Sequence, residues 1–203
     1  MDFKNFTQKS IQALNDSSGI SKENSNQQIT TLHLFLALVR DEDGLTTKIL
    51  EKLGKNKQKI QNELQNNINK LPKVSGGSGE YASIDLSSAI ETAESFSKEM
   101  KDEFVSVEHL LYGIIQNGSK EVKEILLNNK ITKESFLKVL QEVRGNVRVT
   151  TDNPESTYDV LNKYGVDLVE KAKKAQIDPV IGRDEEIRNV VRILSRKTKT
   201  TQF

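Results

Sequence analysis

The surroundings of His33 recur around His109, 76 positions further along the chain. The coinciding pairs extend well beyond the histidines and need no gap: Ile29 with Val105, Thr30 with Ser106, Leu34 with Leu110, Leu38 with Ile114, Ile49 with Ile125, Leu50 with Leu126, Ile60 with Phe136 and Leu64 with Leu140. An internal repeat of this kind constrains the fold strongly, because each copy is expected to form the same structural unit.

The repeated unit has the pattern of helices. Apolar residues recur every three or four positions, which is typical of amphipathic helices. Two corresponding stripes are Ile60, Leu64, Ile68 and Leu71 in one copy and Phe136, Val139, Leu140 and Val143 in the other. Thr30 and Ser106 each lie between apolar residues at the spacing of a hydrophobic staple, which predicts a helix start. Asn56 and Thr132 are predicted to cap the helices that carry the stripes.

The two copies are predicted to be four-helix units at about 1–71 and 84–144. In their first helices, the apolar pattern sets Phe6 over Leu86 at a shift of 80, which implies a longer loop around 17–26 in the first copy. Each unit is too small to bury its own apolar face well, so we expect the two to pack about a pseudo-twofold axis. The fold class predicted for residues 1–145 is all-α, with eight helices.

Composition argues against several kinds of function. A net charge of +1 disfavours a general nucleic-acid binder and attraction to anionic membranes. With no cysteine and two histidines, the chain has few residues for metal binding or nucleophilic catalysis. Because His33 and His109 occupy equivalent positions, we interpret them as separate structural histidines rather than one metal site. The longest apolar run, 34–39, is too short to cross a bilayer, and no signal peptide is visible, so a cytoplasmic location is expected.

The character of the sequence changes after Gly145. Residues 146–157 are polar, contain one proline and show no apolar period, so they are interpreted as a linker between domains. A helical region follows from 158, and 178–183 is predicted to be a turn. The last helix is predicted to begin at Asp184, where three consecutive acidic residues suit a helix N-terminus.

Three segments of this last region resemble the opening of the first AAA+ module of the ClpB disaggregases, a family of ATP-driven bacterial chaperones. They are 163–168, 178–188 and 193–199. The second segment, DPVIGRDEEIR, keeps one proline and one glycine at fixed places and is highly specific. The duplicated helical region is similar to the Clp N-terminal domain, so residues 158–203 are interpreted as an incomplete start of the first AAA+ ATPase domain.

The resemblance implies that the helical domain binds unfolded or aggregated client proteins. The polar positions associated with that role are Thr7, Asp102 and Glu108, and the apolar residues expected beside them at the seam between the copies are Leu14, Ala93 and Leu110. A groove there would suit extended apolar segments. The polar residues also have plainer interpretations: a surface or capping threonine, a solvated loop aspartate, and a glutamate that complements a helix dipole.

The resemblance implies ATP and magnesium as cofactors of the full-length parent, but none for this chain. By the family pattern, Val180, Ile181 and Gly182 line one side of the adenine pocket. The phosphate-binding pattern G-x-x-x-x-G-K-[ST] does not occur in the sequence. We therefore expect no ATP hydrolysis by this polypeptide.

Partners are implied in the same way. The parent is expected to be a homohexamer with a coiled coil that acts in the stress response together with the DnaK chaperone system. This chain alone is expected to be a monomer. Two alternatives stay open: an adaptor-docking N-domain of the ClpC type, and a nucleotide-hydrolysing enzyme.

Overall fold

The structure, a computed structural model, describes residues 3–74, 79–144, 148–154 and 182–195. It divides the chain into two units, Met1–Asp159 and Val160–Phe203. The described part of the first unit contains α1 (Gln8–Glu23), α2 (Thr31–Arg40), α3 (Leu45–Lys52), α4 (Lys57–Asn69), α5 (Ile84–Glu99), α6 (Val107–Asn117), α7 (Lys120–Asn128) and α8 (Lys133–Arg144). Two short strands, β1 (Gln28–Ile29) and β2 (Tyr81–Ala82), precede α2 and α5. The predicted all-α class with eight helices is confirmed.

The repeat holds at one spacing along the whole unit. α1 and α5 each have 16 residues and begin 76 positions apart, and α2 and α6 begin at the same spacing. The two turns that follow α1 and α5 also agree, because Ser25 and Lys101 both have a positive φ, 58° and 59°. The two copies therefore share caps and turns as well as apolar stripes.

The predicted shift of 80 for the first helices is wrong. α1 is continuous to Glu23, so the first copy has no longer loop around 17–26, and the N-cap Thr7 corresponds to the N-cap Ser83. The apolar pattern misled because α1 buries three serines, Ser10, Ser17 and Ser21. Serine is a weak helix former, and here tertiary packing overrides its propensity.

The segments that precede the helices link the copies to each other. β1 pairs with β2 in parallel, with Ile29 opposite Ala82. Phe6 forms a parallel bridge with Val105. At the spacing of 76, Ile29 corresponds to Val105 and Phe6 corresponds to Ala82. Exchanging the two copies therefore converts one pair into the other. This exchange is the pseudo-twofold relation predicted from the sequence.

The centre of the unit is formed by α2 and α6. Every residue from Thr31 to Val39 is buried, in agreement with the apolar character of this segment on nearly all sides. α6 approaches α5 so closely that a Cβ atom at Gly113 would lie 2.0 Å from the carbonyl oxygen of Ala89. A side chain at this position is therefore incompatible with the packing of the two helices. In the described ranges, no helix combines the length and apolar character that crossing a membrane requires.

Part of the predicted linker lies against the first unit. We call residues 148–152 the strap. The side chain of Val149 is fully buried, and its carbonyl accepts the N–H of Glu103 at 2.9 Å. The carbonyl of Asp152 accepts the N–H of Gln8 at 2.8 Å. The strap is thus held by main-chain hydrogen bonds, which a polar composition does not reveal, and it does not extend as free linker.

In the second unit, the described residues form α9 (Asp184–Leu194). Three acidic residues occupy its first turn, as predicted. Its apolar side chains are exposed, among them Ile187, Val190 and Val191.

Candidate functional site

The three polar residues predicted to bind clients all have buried side chains. Thr7 is the N-cap of α1: its hydroxyl accepts the N–H of Ser10 at 3.2 Å and donates to the Ser10 hydroxyl at 3.0 Å. Asp102 follows α5, and Glu108 lies in the first turn of α6. In this structure they therefore hold the fold together and do not form the rim of a surface groove. Their contact with clients stays a prediction.

Asp102 is the centre of a buried polar network. Its Oδ2 accepts from Nε2 of His109 at 3.0 Å, and its Oδ1 accepts from the N–H of Val149 at 2.8 Å and from the guanidinium of Arg144. Burial alone would raise the pKa of Asp102. The hydrogen bonds from His109, Arg144 and Val149 outweigh burial and hold the pKa of Asp102 below its ordinary value. The carboxylate is therefore ionised at neutral pH.

Glu108 is a second buried carboxylate beside the same arginine. Its residue is 1% exposed, and within the described structure neither of its carboxylate oxygens has a hydrogen-bond partner. Its Oε1 lies 3.4 Å from Nη1 of Arg144. The guanidinium of Arg144 thus lies between two carboxylates but hydrogen bonds to only one of the two, Asp102.

The two histidines cap equivalent helices. Nδ1 of His33 accepts the N–H of Thr30 at 3.0 Å, and Nδ1 of His109 accepts the N–H of Ser106 at 2.9 Å. Because Nδ1 accepts, the proton is assigned to Nε2, which points to Asn26 Oδ1 in the first copy and to the carboxylate of Asp102 in the second. Burial lowers the pKa of His33 to about 4, although the charge of Asp85 opposes the shift. The predicted structural role of both histidines agrees with these bonds.

Among the described residues, the buried charges lie in the second copy. At the spacing of 76, Asp102 corresponds to Asn26, Glu108 to Leu32 and Arg144 to Ile68. All six residues are buried apart from Asp102, whose side chain is nevertheless inaccessible. We call Asp102, Glu108 and Arg144 the charged set, and Asn26, Leu32 and Ile68 the neutral set. The same fold is therefore built with the neutral set in the first copy and the charged set in the second.

The predicted apolar residues do not form a common surface. Ala93 and Leu110 are fully buried in the core, and Leu14 is partly buried against it. Of the predicted adenine-pocket residues, Gly182 is described and has a positive φ of 78°. Val180 and Ile181 lie outside the described residues.

An open groove runs along α1 instead, between this helix and the connection from α2 to α3. Its volume is about 400 Å³. The floor is apolar and consists of Ala13, Ile20, Ala37, Leu38, Leu45 and Val107. The rim carries charges of both signs, including the ion pair of Lys9 with Asp41 at 2.8 Å. We call this feature the α1 groove.

Two further residues distinguish the α1 groove. Gly19 lines it, and nothing lies within 4 Å of a Cβ atom built at this glycine, so the space above it is open. Thr46 also lines the groove, and its buried hydroxyl has no hydrogen-bond partner in the described part of the chain. This groove was not predicted from the sequence because a loop was expected around 17–26. One wall of the groove is formed by α1, which continues through Gly19.

Comparisons with known proteins agree with this architecture. The family of the Clp repeat (R) N-terminal domain matches residues 5–129. Chaperone protein ClpB of Clostridium tetani is 47% identical over 203 residues, covering 98% of this chain and 24% of that protein. The chain thus spans about a quarter of the length of the curated relatives it matches.

Solved structures share the fold at low sequence identity. The Hsp104 N-terminal domain of Candida albicans has a TM-score of 0.66 and 17% identity, covering 73% of this chain and 97% of that chain. A ClpV N-domain in complex with a VipB peptide has a TM-score of 0.54 and 13% identity, covering 69% of this chain and 89% of that chain.

Proposed function

The chain belongs to the family of Clp repeat (R) N-terminal domains, and from this membership and its similarity to ClpB chaperones we propose that it recruits client proteins for a disaggregase. Its helical unit binds exposed apolar segments of unfolded or aggregated protein. The bound segments are then passed to an ATP-driven threading ring formed by further parts of the parent protein. The chain itself contributes binding and no ATP hydrolysis.

The observation that carries this proposal is the α1 groove. Its apolar floor and volume of about 400 Å³ lie in the range of sites that hold several side chains. Small residues on both sides, Ala13 and Ala37, allow the backbone of a bound segment to approach closely. A segment with aliphatic side chains would exclude water from the floor, which supplies the favourable free energy of binding.

The polar groups of the groove suit a peptide backbone. The exposed side-chain amides of Gln12 and Asn15 line the groove and can donate to and accept from a peptide backbone. The rim has no strong excess of one charge, so it selects little by charge. A ClpV N-domain with the same fold has been solved with a VipB peptide, which supports peptide binding as the chemistry of this domain.

Weak binding at one groove is sufficient in an assembly. We propose that the parent is a cytoplasmic homohexamer that uses ATP and magnesium and acts with the DnaK system. Six domains around one ring would then engage one aggregate, and the effective concentration of the remaining grooves strengthens the attachment after the first contact.

Titration of the chain with a permanently unfolded protein tests the proposal. Reduced, carboxymethylated α-lactalbumin, labelled with a fluorophore, is the probe, and native α-lactalbumin is the control. We expect saturable binding of the unfolded form and none of the native form. Equal binding of both forms, or binding of neither, would contradict client recruitment. Selective binding of a folded adaptor would instead favour the ClpC-type docking function.

A further inference from the structure

The strap occupies a slot on the first unit that binds it mainly through its main chain. We propose that residues 148–152 are an internal, displaceable occupant of this slot, and that client segments of the same chemistry compete for it. The slot is formed by the start of α1 and the connection between α5 and α6. It is separate from the α1 groove, so this inference rests on the proposed client binding but not on the role of that groove.

The slot recognises the strap mainly through its main chain. The N–H of Val149 donates to Asp102 Oδ1 at 2.8 Å, and the carbonyl of Val149 accepts the N–H of Glu103 at 2.9 Å. Three residues further on, the carbonyl of Asp152 accepts the N–H of Gln8 at 2.8 Å. Main-chain bonds of this kind do not depend on the sequence of the occupant, as in peptides that add to a sheet edge.

One side-chain pocket adds selectivity. The side chain of Val149 is fully buried, whereas residues 150–152 are exposed. A competing segment therefore requires an aliphatic residue at this position, and it requires an N–H there to reach Asp102, which excludes proline. The slot therefore fits a segment with one aliphatic residue and an available main-chain N–H at that residue, a combination that unfolded proteins expose.

The first copy holds the equivalent chain segment with a neutral amide in place of the Asp102 carboxylate. Residues 72–74 correspond to 148–150 at the spacing of 76. There the side-chain amide of Asn26 donates to the carbonyl of Pro72 at 3.1 Å, and the N–H of Val74 donates to the carbonyl of Ser25 at 2.8 Å. A neutral amide is sufficient to fasten this segment.

The charged set of the second copy holds the strap through one charge-assisted hydrogen bond, from the N–H of Val149 to the carboxylate of Asp102. The bonds from His109 and Arg144 to Asp102 do not involve the strap, so the charge of Asp102 stays paired when the strap leaves.

Because clients compete with the strap, they bind the slot only above a threshold local concentration of client segments. A segment joined to its slot by a short stretch of chain has an effective concentration on the order of millimolar. A single dilute peptide is then excluded. An aggregate, which presents many segments at high local concentration, displaces the strap.

The substitution Gln8→Pro tests this inference with little disturbance of α1. Gln8 is the first residue of the helix, where proline is favoured, and Thr7 before it has the extended backbone that a following proline requires (φ −67°, ψ 156°). The substitution removes both the N–H that binds the carbonyl of Asp152 and the side-chain amide that binds its carboxylate at 3.0 Å. Ile84→Pro, at the equivalent position of α5, is the matched control because Ile84 is 85% exposed.

Two measurements on the full chain decide the outcome. Hydrogen exchange at the Val149 amide is expected to be at least tenfold faster in Gln8→Pro than in the wild type or Ile84→Pro. A fluorescent peptide with the sequence of residues 147–154 is expected to bind Val149→Asp, which weakens the strap and leaves the slot unchanged, at least tenfold more tightly than the wild type. The same peptide with aspartate in place of its Val149 residue is expected not to bind. Unchanged exchange in Gln8→Pro, equal affinity of the peptide for Val149→Asp and the wild type, or binding of the aspartate peptide would overturn the proposal.

Discussion

Nδ1 of His33 accepts the backbone N–H of Thr30 at 3.0 Å, so the first copy requires this imidazole to be neutral. A proton on Nδ1 would place two donors against each other at the start of α2. Burial acts in the same direction and lowers the pKa of His33 to about 4. The cap is therefore sensitive to acid.

We predict that His33 makes folding stability fall between about pH 6.5 and pH 4. In this window the unfolded chain binds a proton at His33 and the folded chain does not, so acid favours unfolding. The shift from 6.5 to about 4 corresponds to about 3 kcal/mol over the whole window. Urea unfolding of the wild type and His33→Gln at pH 7 and pH 4.5 measures it. The wild type should lose more stability than His33→Gln between pH 7 and pH 4.5, and an equal loss in both proteins would contradict the prediction.

The charged set can be replaced by its counterpart from the first copy. The triple variant Asp102→Asn, Glu108→Leu, Arg144→Ile is expected to match or exceed the wild type in free energy of unfolding, because the desolvation cost of three charges disappears. Arg144→Ile alone leaves two buried carboxylates without their cation and is expected to lose about 3–5 kcal/mol. Denaturant unfolding at pH 7 compares them. A triple variant less stable than the single variant would contradict this account of the network.

Thr46→Val is expected to stabilise the protein. Removal of a buried hydroxyl without a partner relieves an unfavourable burial, worth about 1 kcal/mol. Thr47→Val is the control, because the Thr47 hydroxyl donates to the carbonyl of Asp41 at 2.7 Å and its loss should destabilise by about 1 kcal/mol. Thermal unfolding of the wild type and both variants measures the two changes in stability. If both variants lost stability equally, the Thr46 hydroxyl would have a partner within the fold.

Gly113→Ala and Gly19→Ala are expected to act in opposite directions. A methyl group at Gly113 would lie 2.0 Å from the carbonyl oxygen of Ala89, so α5 and α6 have to separate, at a cost of at least about 2 kcal/mol. Gly19 has open space and lies inside α1, where alanine is favoured over glycine by up to about 1 kcal/mol. Unfolding midpoints in urea test the pair, and a Gly113→Ala protein as stable as the wild type would refute the close approach.

Features that depend on neighbouring residues could be predicted from the sequence. Thr30, Ser106 and Asn56 are helix N-caps, as the local pattern indicates. The repeat gave the fold class because equal spacing of caps and apolar stripes is visible along the chain. The first helix was misplaced because its buried face is rich in serine rather than in large apolar residues.

Features that depend on distant residues could not be predicted. Asp102 is buried because Arg144 and Val149, 42 and 47 positions later, close over it. No local pattern around Asp102 carries that information, and a polar loop residue is usually solvated. The α1 groove was missed for a similar reason, since its floor combines α1 and α2 with Val107 from the second copy.

The most direct test of client recruitment is to fill the α1 groove. Gly19→Leu places a side chain in the groove without a clash near its Cβ, and Asn66→Leu adds the same side chain at an exposed position of α4 that does not line the groove. The dissociation constant of labelled unfolded α-lactalbumin is measured for the wild type and both variants. We predict that Gly19→Leu binds at least tenfold more weakly while Asn66→Leu binds like the wild type. The same dissociation constant for all three proteins would contradict the α1 groove as the client site.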